Sequence, residues 1–274
     1  MKIKLISHTQ NALELLLGTK SARMRGQDPS TMTEEEKRDH WAYMLDTIKS
    51  PFEFVDYIFE IEGVSKNFTH QLVRTRTGAY QQETSRALEI DVMSATVMPE
   101  AFIRTDDPDG EPTALGMLWM DAMADADAHY KGLLAAGAEL QDARAVCPSN
   151  MVTKIQAKFN LRTLSDMAKN RLCARTQGEY QDAFRIIREL VLEQHPWTDS
   201  LLQVACVSTG QCAFPRWGGK VVGVREIHPV QPIYQCPFFR SWMDLSKEKE
   251  ELRKVFWSSA KAEANPIAHN GKSM

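Results

Sequence analysis

The sequence predicts an α/β fold, built as one domain with a C-terminal extension. Short β-like runs alternate with segments whose apolar residues recur at helical spacing. The 274 residues and the hydrophobic fraction of 43% suit one large globular domain or two small ones. No internal repeat or clean linker divides the chain, which favours the single domain.

The N-terminal part is predicted to run strand, helix, helix, strand, helix, over residues 3–7, 11–17, 34–48, 54–64 and 65–74. A polar loop from Arg23 to Thr33 separates the first two helices. Thr33 and Glu36 form the pattern of a capping box, which predicts the start of the second helix. Ser50-Pro51 ends that helix, and Ser65 is placed to cap the third.

The middle of the chain is predominantly helical. A partly β-branched segment over residues 90–98 and a turn-rich loop over 106–111 come first. Four helices are then predicted over residues 114–134, 141–146, 151–172 and 179–194, with Gly137 capping the first of them. Beyond these we expect β-like pieces at 221–224 and 232–234, a charged helix at 247–255 and a disordered tail at 261–274.

Composition excludes several classes of protein. The net charge of -3 gives no global attraction to a nucleic acid polymer. No run of eighteen apolar residues occurs and the N-terminus lacks signal-peptide features, so we expect no membrane span and a cytoplasmic location. The odd number of widely spaced cysteines favours reduced thiols. Cys206, Cys212 and Cys236 leave a metal site open, but no CxxC pair supports one.

The segment from Phe68 to Arg86 is rich in groups that bind nucleotides. It contains three arginines within thirteen residues, Arg74, Arg76 and Arg86. Guanidinium groups bind phosphate in a bidentate manner and keep their charge at any working pH. Three amides can read the edge of a base such as uracil: Gln71, Gln81 and Gln82. The alternative is a solvated basic end of a helix.

A second polar cluster lies on the predicted helix over residues 114–134. Asp121, Asp125 and His129 stand at positions i, i+4 and i+8 and share one helix face. A metal site and a solvated polar face are both compatible with this spacing, and the solvated face is favoured because no fourth ligand is nearby. Gly210-Gln211-Cys212 is interpreted as a turn, and no Ser/His/Asp elbow occurs.

Four ordered blocks resemble the flavin-dependent thymidylate synthases. Arg74-Thr75-Arg76, followed after seven residues by Thr84 and then Arg86, is similar to that family's Arg-His-Arg, seven residues, Ser and Arg. Further blocks resemble its Pro-Phe-Glu-His, Ala-Arg-x-Val-Leu-Pro and Asn-x-Arg…Arg-Leu-Cys-x-Arg-Ala-Gln-Trp-Glu elements; they are residues 51–54, 143–148 and 160–179. The resemblance spans about residues 1–215, which places the catalytic domain there and the extension over 216–274. It implies a central, mostly antiparallel sheet flanked by helices.

The resemblance also implies the site residues. The pyrimidine deoxynucleotide, dUMP or a relative, is expected to contact Gln71, Arg74, Gln82, Thr84, Ser85, Arg86, Arg144 and Arg171. Among these, Arg86 and Arg144 hold the phosphate, and Arg171 polarises the base as a catalytic residue. FAD is expected to contact Ser21, Arg74, Thr75, Arg76, Gln82, Asn160, Arg162 and Asp166. A homotetramer with shared active sites is implied too.

Each of these residues also has a structural interpretation. Arg74, Arg76 and Arg86 can be surface arginines, and Arg144 and Arg171 can belong to buried salt bridges. Asn160 can be a helix N-cap and nothing more. His70, which precedes the motif, is interpreted as structural.

The implied reaction is reductive C5-methylation of dUMP to dTMP, with 5,10-methylenetetrahydrofolate as carbon donor, FAD as cofactor and NADPH as reductant. The chain departs from the family at Thr75 and Phe54, which replace two histidines expected near the flavin. Milder departures are Thr84, Asp166, Gly178 and Ala87. Two alternatives therefore stay open: another C5-modified product such as hydroxymethyl-dUMP, and a nucleotide-binding protein without catalysis.

Overall fold

The computed structural model describes residues 1–24, 26–84, 89–99, 102–103, 112–173 and 176–209. The strands in these ranges are β1 (Lys2–His8), β2 (Asp56–Ser65), β3 (Ala79–Gln82) and β4 (Val152–Asn160). The helices are α1 (Ala12–Met24), α2 (Glu34–Asp46), α3 (Lys66–Leu72), α4 (Ala114–Ala135), α5 (Leu140–Ala143), α6 (Leu161–Arg171), α7 (Gly178–Gln194) and α8 (Ala205–Thr209).

The four strands form one antiparallel sheet in the order β1-β2-β4-β3, flanked by helices. The predicted fold class is therefore confirmed. The β-like pieces and the charged helix predicted beyond residue 215 lie outside the described residues.

The chain divides into two compact units. Among the described residues, the first combines Met1–Lys4 with residues 59–157, and the second combines residues 5–58 with residues 158–209. A cluster in the first unit buries Val92, Tyr130, Ala143 and Met151. The second unit buries larger aromatic side chains, among them Trp41, which packs edge-on against Trp197 with ring centroids 4.9 Å apart.

Local capping signals set several of the helix ends. The capping box is present at the start of α2, where the Glu36 amide donates to Thr33 Oγ1 at 3.2 Å and the Thr33 amide donates to Glu36 Oε2 at 2.8 Å. Ser65 Oγ accepts the Phe68 amide at 3.1 Å and caps α3. Gly137 follows α4 with a φ of +94°, a conformation that favours glycine. These three predictions are confirmed.

The helix predicted over residues 151–172 is wrong in its first half, which is strand β4. Side chains along β4 alternate, with Thr153, Ile155, Ala157 and Phe159 buried. Apart from Val152, the residues that alternate with them carry charge or amide groups, and Lys154 pairs with Glu60 and Glu62 on β2. A period of two is the pattern of a strand with one buried face, and it outweighs the helical spacing that continues into α6.

Smaller differences concern the ends of elements. Helix α1 extends to Met24, into the segment predicted as a loop, and α2 ends at Asp46, so Ile48 lies beyond it. Strand β3 was not predicted. Within residues 90–98, Thr96 pairs with Met151 in an isolated antiparallel bridge. No helix in the described part of the chain is long and apolar enough to cross a membrane.

Candidate functional site

The turn between α3 and β3 carries Arg74, Thr75 and Arg76. Successive backbone hydrogen bonds close it, from Thr75 N to Leu72 O at 3.0 Å and from Gly78 N to Thr75 O at 3.0 Å. The Tyr80 hydroxyl lies 3.0 Å from Leu72 O and 2.6 Å from Thr75 O, so it ties β3 to the turn. The backbone is therefore fixed while Arg74 and Arg76 remain exposed.

Gln82 at the end of β3 is held by two hydroxyl groups. Its Nε2 donates to Thr69 Oγ1 at 3.1 Å and to Thr153 Oγ1 at 3.3 Å. Both amide hydrogens are used in this way, which leaves Oε1 as an acceptor for a ligand N–H. Gln71, in the last turn of α3, is half-buried.

Arg144 lies directly after α5. Its Nε donates to Gln141 O at 3.1 Å, which orients the guanidinium and leaves the two terminal nitrogens to other partners. Within the described ranges Arg144 forms no ion pair, so the salt bridge considered for it from the sequence is not seen. Arg171, for which a salt bridge was also considered, forms no ion pair with a described residue either. Arg74 and Arg76 likewise form none within the described ranges.

A cavity of about 280 Å³ in the first unit brings Thr84 together with Lys66, a residue that the sequence interpretation missed. Met151, Val152 and Thr153 line it as well. Burial lowers the pKa of Lys66 below its ordinary value, and the nearby Arg144 guanidinium lowers it further. Lys66 stands outside the family blocks, and its backbone amide donates to Met151 O at 2.9 Å, which fixes the first residue of α3 beside the cavity.

Arg171, the last residue of α6, stacks on an aromatic ring. Its guanidinium carbon lies 4.3 Å from the centroid of the Tyr180 ring, and that ring is fully buried in α7. Arg171 itself is half-buried. One face of the guanidinium is therefore covered, while its N–H edges stay available to donate.

The residues predicted for the flavin in the second unit have partners of their own. Arg162 pairs with Glu53 at 2.5 Å, and Asp166 pairs with Lys169 at 2.6 Å. Asn160 Oδ1 accepts the Thr163 amide at 2.8 Å, so the N-cap role left open for it is confirmed. Ser21 differs, because its hydroxyl is buried and has no hydrogen-bond partner among the described residues.

The remaining candidates divide between exposed and undescribed positions. Ser85 and Arg86 lie outside the described residues, as do Cys212 and Cys236. Phe54 is 60% exposed. His70 is exposed, and so are Asp121, Asp125 and His129 on α4. No group of three or more metal-binding side chains occurs in the part of the chain that the structure describes.

The family model described as thymidylate synthase complementing protein matches residues 4–197. The chain belongs to the flavin-dependent thymidylate synthase family. The matched region contains every predicted site residue, from Ser21 to Arg171. The family blocks and the turn, cavity and stacked arginine described above thus lie in the same stretch of sequence.

Curated members of the flavin-dependent thymidylate synthase family align over most of this region. The enzyme of Sulfurisphaera tokodaii is 33% identical over 205 residues, covering 72% of this chain and 75% of that protein. The enzyme of Clostridium tetani is 30% identical over 207 residues, covering 66% and 78%. That of Nitratidesulfovibrio vulgaris is 27% identical over 226 residues, covering 77% and 90%.

A solved structure supports the fold of this family member. It is the UMP/dUMP methylase PolB from Streptomyces cacaoi, bound with 5-Br dUMP, and it superposes with a TM-score of 0.59. The likeness covers 70% of this chain and 90% of PolB, at 19% sequence identity. At that identity it is the fold that the two proteins share.

Proposed function

We propose that this protein is a flavin-dependent thymidylate synthase that methylates C5 of dUMP to give dTMP. The observation that carries the proposal is a set of arginines without ion pairs in the described chain: Arg74, Arg76, Arg144 and Arg171. Guanidinium groups without ion pairs are suited to bind the phosphate and the developing negative charge of a nucleotide, and contacts orient two of them, Arg144 and Arg171.

The residues available for FAD fit that cofactor. Arg74 and Arg76 are exposed, and their positive charges complement the negative charge of its pyrophosphate. The buried Ser21 hydroxyl has no hydrogen-bond partner among the described residues, and a bound ligand can supply one. Thr75, Gln82, Asn160, Arg162 and Asp166 complete the proposed set. When bound, FAD supplies hydride chemistry, with NADPH as the reductant and 5,10-methylenetetrahydrofolate as the carbon donor.

The side chains of this protein are proposed to bind and polarise the nucleotide. Arg144, together with Arg86, holds the phosphate. Gln82 Oε1 accepts an N–H of the base, since both of its amide hydrogens are already used. Arg171 donates to the uracil and stabilises negative charge as C5 becomes nucleophilic, after which the C5 proton leaves to solvent.

The test combines a spectrum with an isotope assay. Purified protein is expected to show a yellow flavin spectrum and to release tritium from C5-labelled dUMP when methylenetetrahydrofolate and NADPH are present. At dUMP concentrations below the wild-type KM, Arg144→Met should strongly reduce release, while Arg185→Met, which changes an exposed ion-paired arginine on α7, should retain it. Colourless protein that releases no tritium even with added FAD would reject the proposal.

A second candidate product is hydroxymethyl-dUMP. It is favoured by Phe54, a 60% exposed aromatic side chain where the family has histidine, and by Thr75 in place of the other histidine. In that reaction the methylene carbon joins C5 and takes up water, so no hydride is consumed. Mass spectrometry of the product decides, together with the ratio of NADPH consumed to product formed, which is one for methylation and zero for hydroxymethylation.

Assembly into a homotetramer with shared sites is proposed as well. In the first two turns of α4, Leu115, Met117 and Leu118 are between 58% and 67% exposed, and a second copy of the chain is the proposed partner for this apolar surface. Light scattering on the purified protein measures the mass of the assembly directly, and Leu118→Glu should reduce that mass.

We further propose that the catalytic domain ends near residue 215 and that residues 216–274 form an extension.

A further inference from the structure

We infer that Tyr180 is a positioning residue for Arg171, holding its guanidinium in the orientation that the nucleotide needs. The inference rests on the proposed function for the role of Arg171. Its geometric basis is independent of that role: the guanidinium carbon lies 4.3 Å from the centroid of the Tyr180 ring. The ring is fully buried, so it forms a fixed surface against which the guanidinium packs.

The junction between α6 and α7 fixes both residues. Thr176 Oγ1 donates to Asn170 O at 2.7 Å, and Gln181 Nε2 donates to Leu172 O at 3.1 Å. These two carbonyl groups flank Arg171 in sequence; Asn170 O also accepts the Cys173 amide at 3.2 Å, and Leu172 O is one of the carbonyl groups that a helix end leaves without a partner inside the helix. Side chains that come before and after Tyr180 thus restrain the last turn of α6, and Gln181 links the carbonyl group next to Arg171 to α7.

The way in which Arg171 is held differs from that of the structural arginines. Arg188 on α7 is buried and is neutralised by Asp199, while its Nε donates to Leu202 O at 2.8 Å. Arg171 forms no ion pair with a described residue and is restrained by an aromatic face. A carboxylate partner would occupy the donors of Arg171, whereas a ring restrains the plane of the group and leaves those donors to a ligand.

The experiment measures dUMP affinity by calorimetry, and kcat and KM by tritium release, in the full-length protein. Tyr180→Leu should weaken dUMP binding about 3- to 30-fold, the range of a cation–π contact, whereas Tyr180→Phe should stay within about twofold. Phe184→Leu is the matched control, because Phe184 is an equally buried aromatic residue one turn along α7. It should lower Tm and leave dUMP affinity unchanged.

A double-mutant cycle separates positioning from packing. If Tyr180 acts through Arg171, Tyr180→Leu should add no further loss of affinity to Arg171→Met. Equal losses from Tyr180→Leu and Phe184→Leu, or full additivity in the cycle, would overturn the inference while the wild type still binds dUMP. If the wild type binds no dUMP, the proposed function fails. The contact between Tyr180 and Arg171 is then tested by the same double-mutant cycle in urea unfolding, which measures the coupling free energy between the two residues. A coupling free energy of zero overturns the inference.

Discussion

The turn between α3 and β3 and the first turn of α6 both carry predicted ligand-binding residues, but they differ in how their charges are balanced. Arg74 and Arg76 in the turn are exposed and form no ion pair with any described residue. At the start of α6, Arg162 is paired with Glu53, and the next turn pairs Asp166 with Lys169. A ligand can bind the first region without displacing a protein group, whereas binding at the second must compete with existing pairs.

The difference lies in the pairing of charges, because each region also stands beside one of the two replaced histidines, Thr75 in the turn and Phe54 next to Glu53. The turn is rigid, because Tyr80 and three backbone hydrogen bonds fix it, and such preorganisation lowers the cost of binding an anion. Phe54, where a histidine is replaced, follows Glu53, the ion-pair partner of Arg162 on α6. Because both replaced histidines belong to the proposed flavin side, we expect nucleotide affinity to be the more robust property and the flavin side to set the product.

The largest effect is expected for Arg144→Met. Losing a bidentate, charge-assisted contact to phosphate should weaken dUMP binding about 100-fold. Isothermal calorimetry measures the affinity, and Arg185→Met serves as the control because it removes an equal charge from an exposed ion pair. If both variants lose the same affinity, the effect is one of general charge and the proposed phosphate contact is wrong.

The next largest effect is the pH dependence of stability that arises from His195 in the second unit. Burial, and then His8, lowers the pKa of His195 to about 4 from its ordinary value of 6.5. Between those two values the unfolded chain binds more protons than the folded chain, so stability is lost as the pH falls. From about pH 7 to about pH 5 the free energy of unfolding should decrease by about 2 kcal/mol.

Urea unfolding at several pH values checks this decrease. The Nδ1 atom of His195 and the Tyr57 hydroxyl are hydrogen-bonded at 2.8 Å. Because it disturbs this buried contact, His195→Gln should be less stable than the wild type at neutral pH. That variant should nevertheless show a shallower fall in stability below about pH 6.5. An unchanged slope in the variant would mean that another group carries the proton uptake.

We further propose that Lys66, which lines the cavity with Thr84, adds a positive charge near the phosphate. A smaller loss is expected for Lys66→Met than for Arg144→Met, because lysine contributes a point charge and not the two-pronged guanidinium of arginine. Its affinity for dUMP should fall about tenfold, while its affinity for deoxyuridine, which lacks the phosphate, should stay unchanged. Exposed carboxylates of Glu83, Glu89 and Asp91 also line the cavity. If they outweigh Lys66, the variant will bind dUMP as tightly as the wild type and the phosphate role is refuted.

The smallest effect is expected for Glu53→Gln, which breaks the exposed pair with Arg162. An exposed ion pair contributes less than about 1 kcal/mol, so the free energy of unfolding should barely change. Because Arg162 is then released for a ligand, FAD affinity measured by fluorescence titration should rise or stay level, whereas Arg162→Met should lower it. A loss of FAD affinity in Glu53→Gln would show that the carboxylate itself takes part in binding.

Much of the fold was predictable because local signals determined it. The capping box at Thr33 and Glu36, the Ser65 cap and the glycine after α4 act within a few residues, and each lies where the sequence places it. The segment over residues 151–160 was misinterpreted because it runs straight into a true amphipathic helix. Its alternation becomes decisive only when β2 and β3 pair with it on either side.

The sequence by itself determined the family and the candidate site residues, because proteins that bind the same ligand share blocks of charged and amide side chains at similar spacing. Only the tertiary structure decided which of those charges are free. Arg74, Arg144 and Arg162 are indistinguishable as residue types, and their difference arises from whether a carboxylate distant in sequence, such as Glu53, folds against them. The same reason explains why Lys66 and Tyr180 emerged only in three dimensions: pairing of charges and stacking on rings are set by contacts between elements.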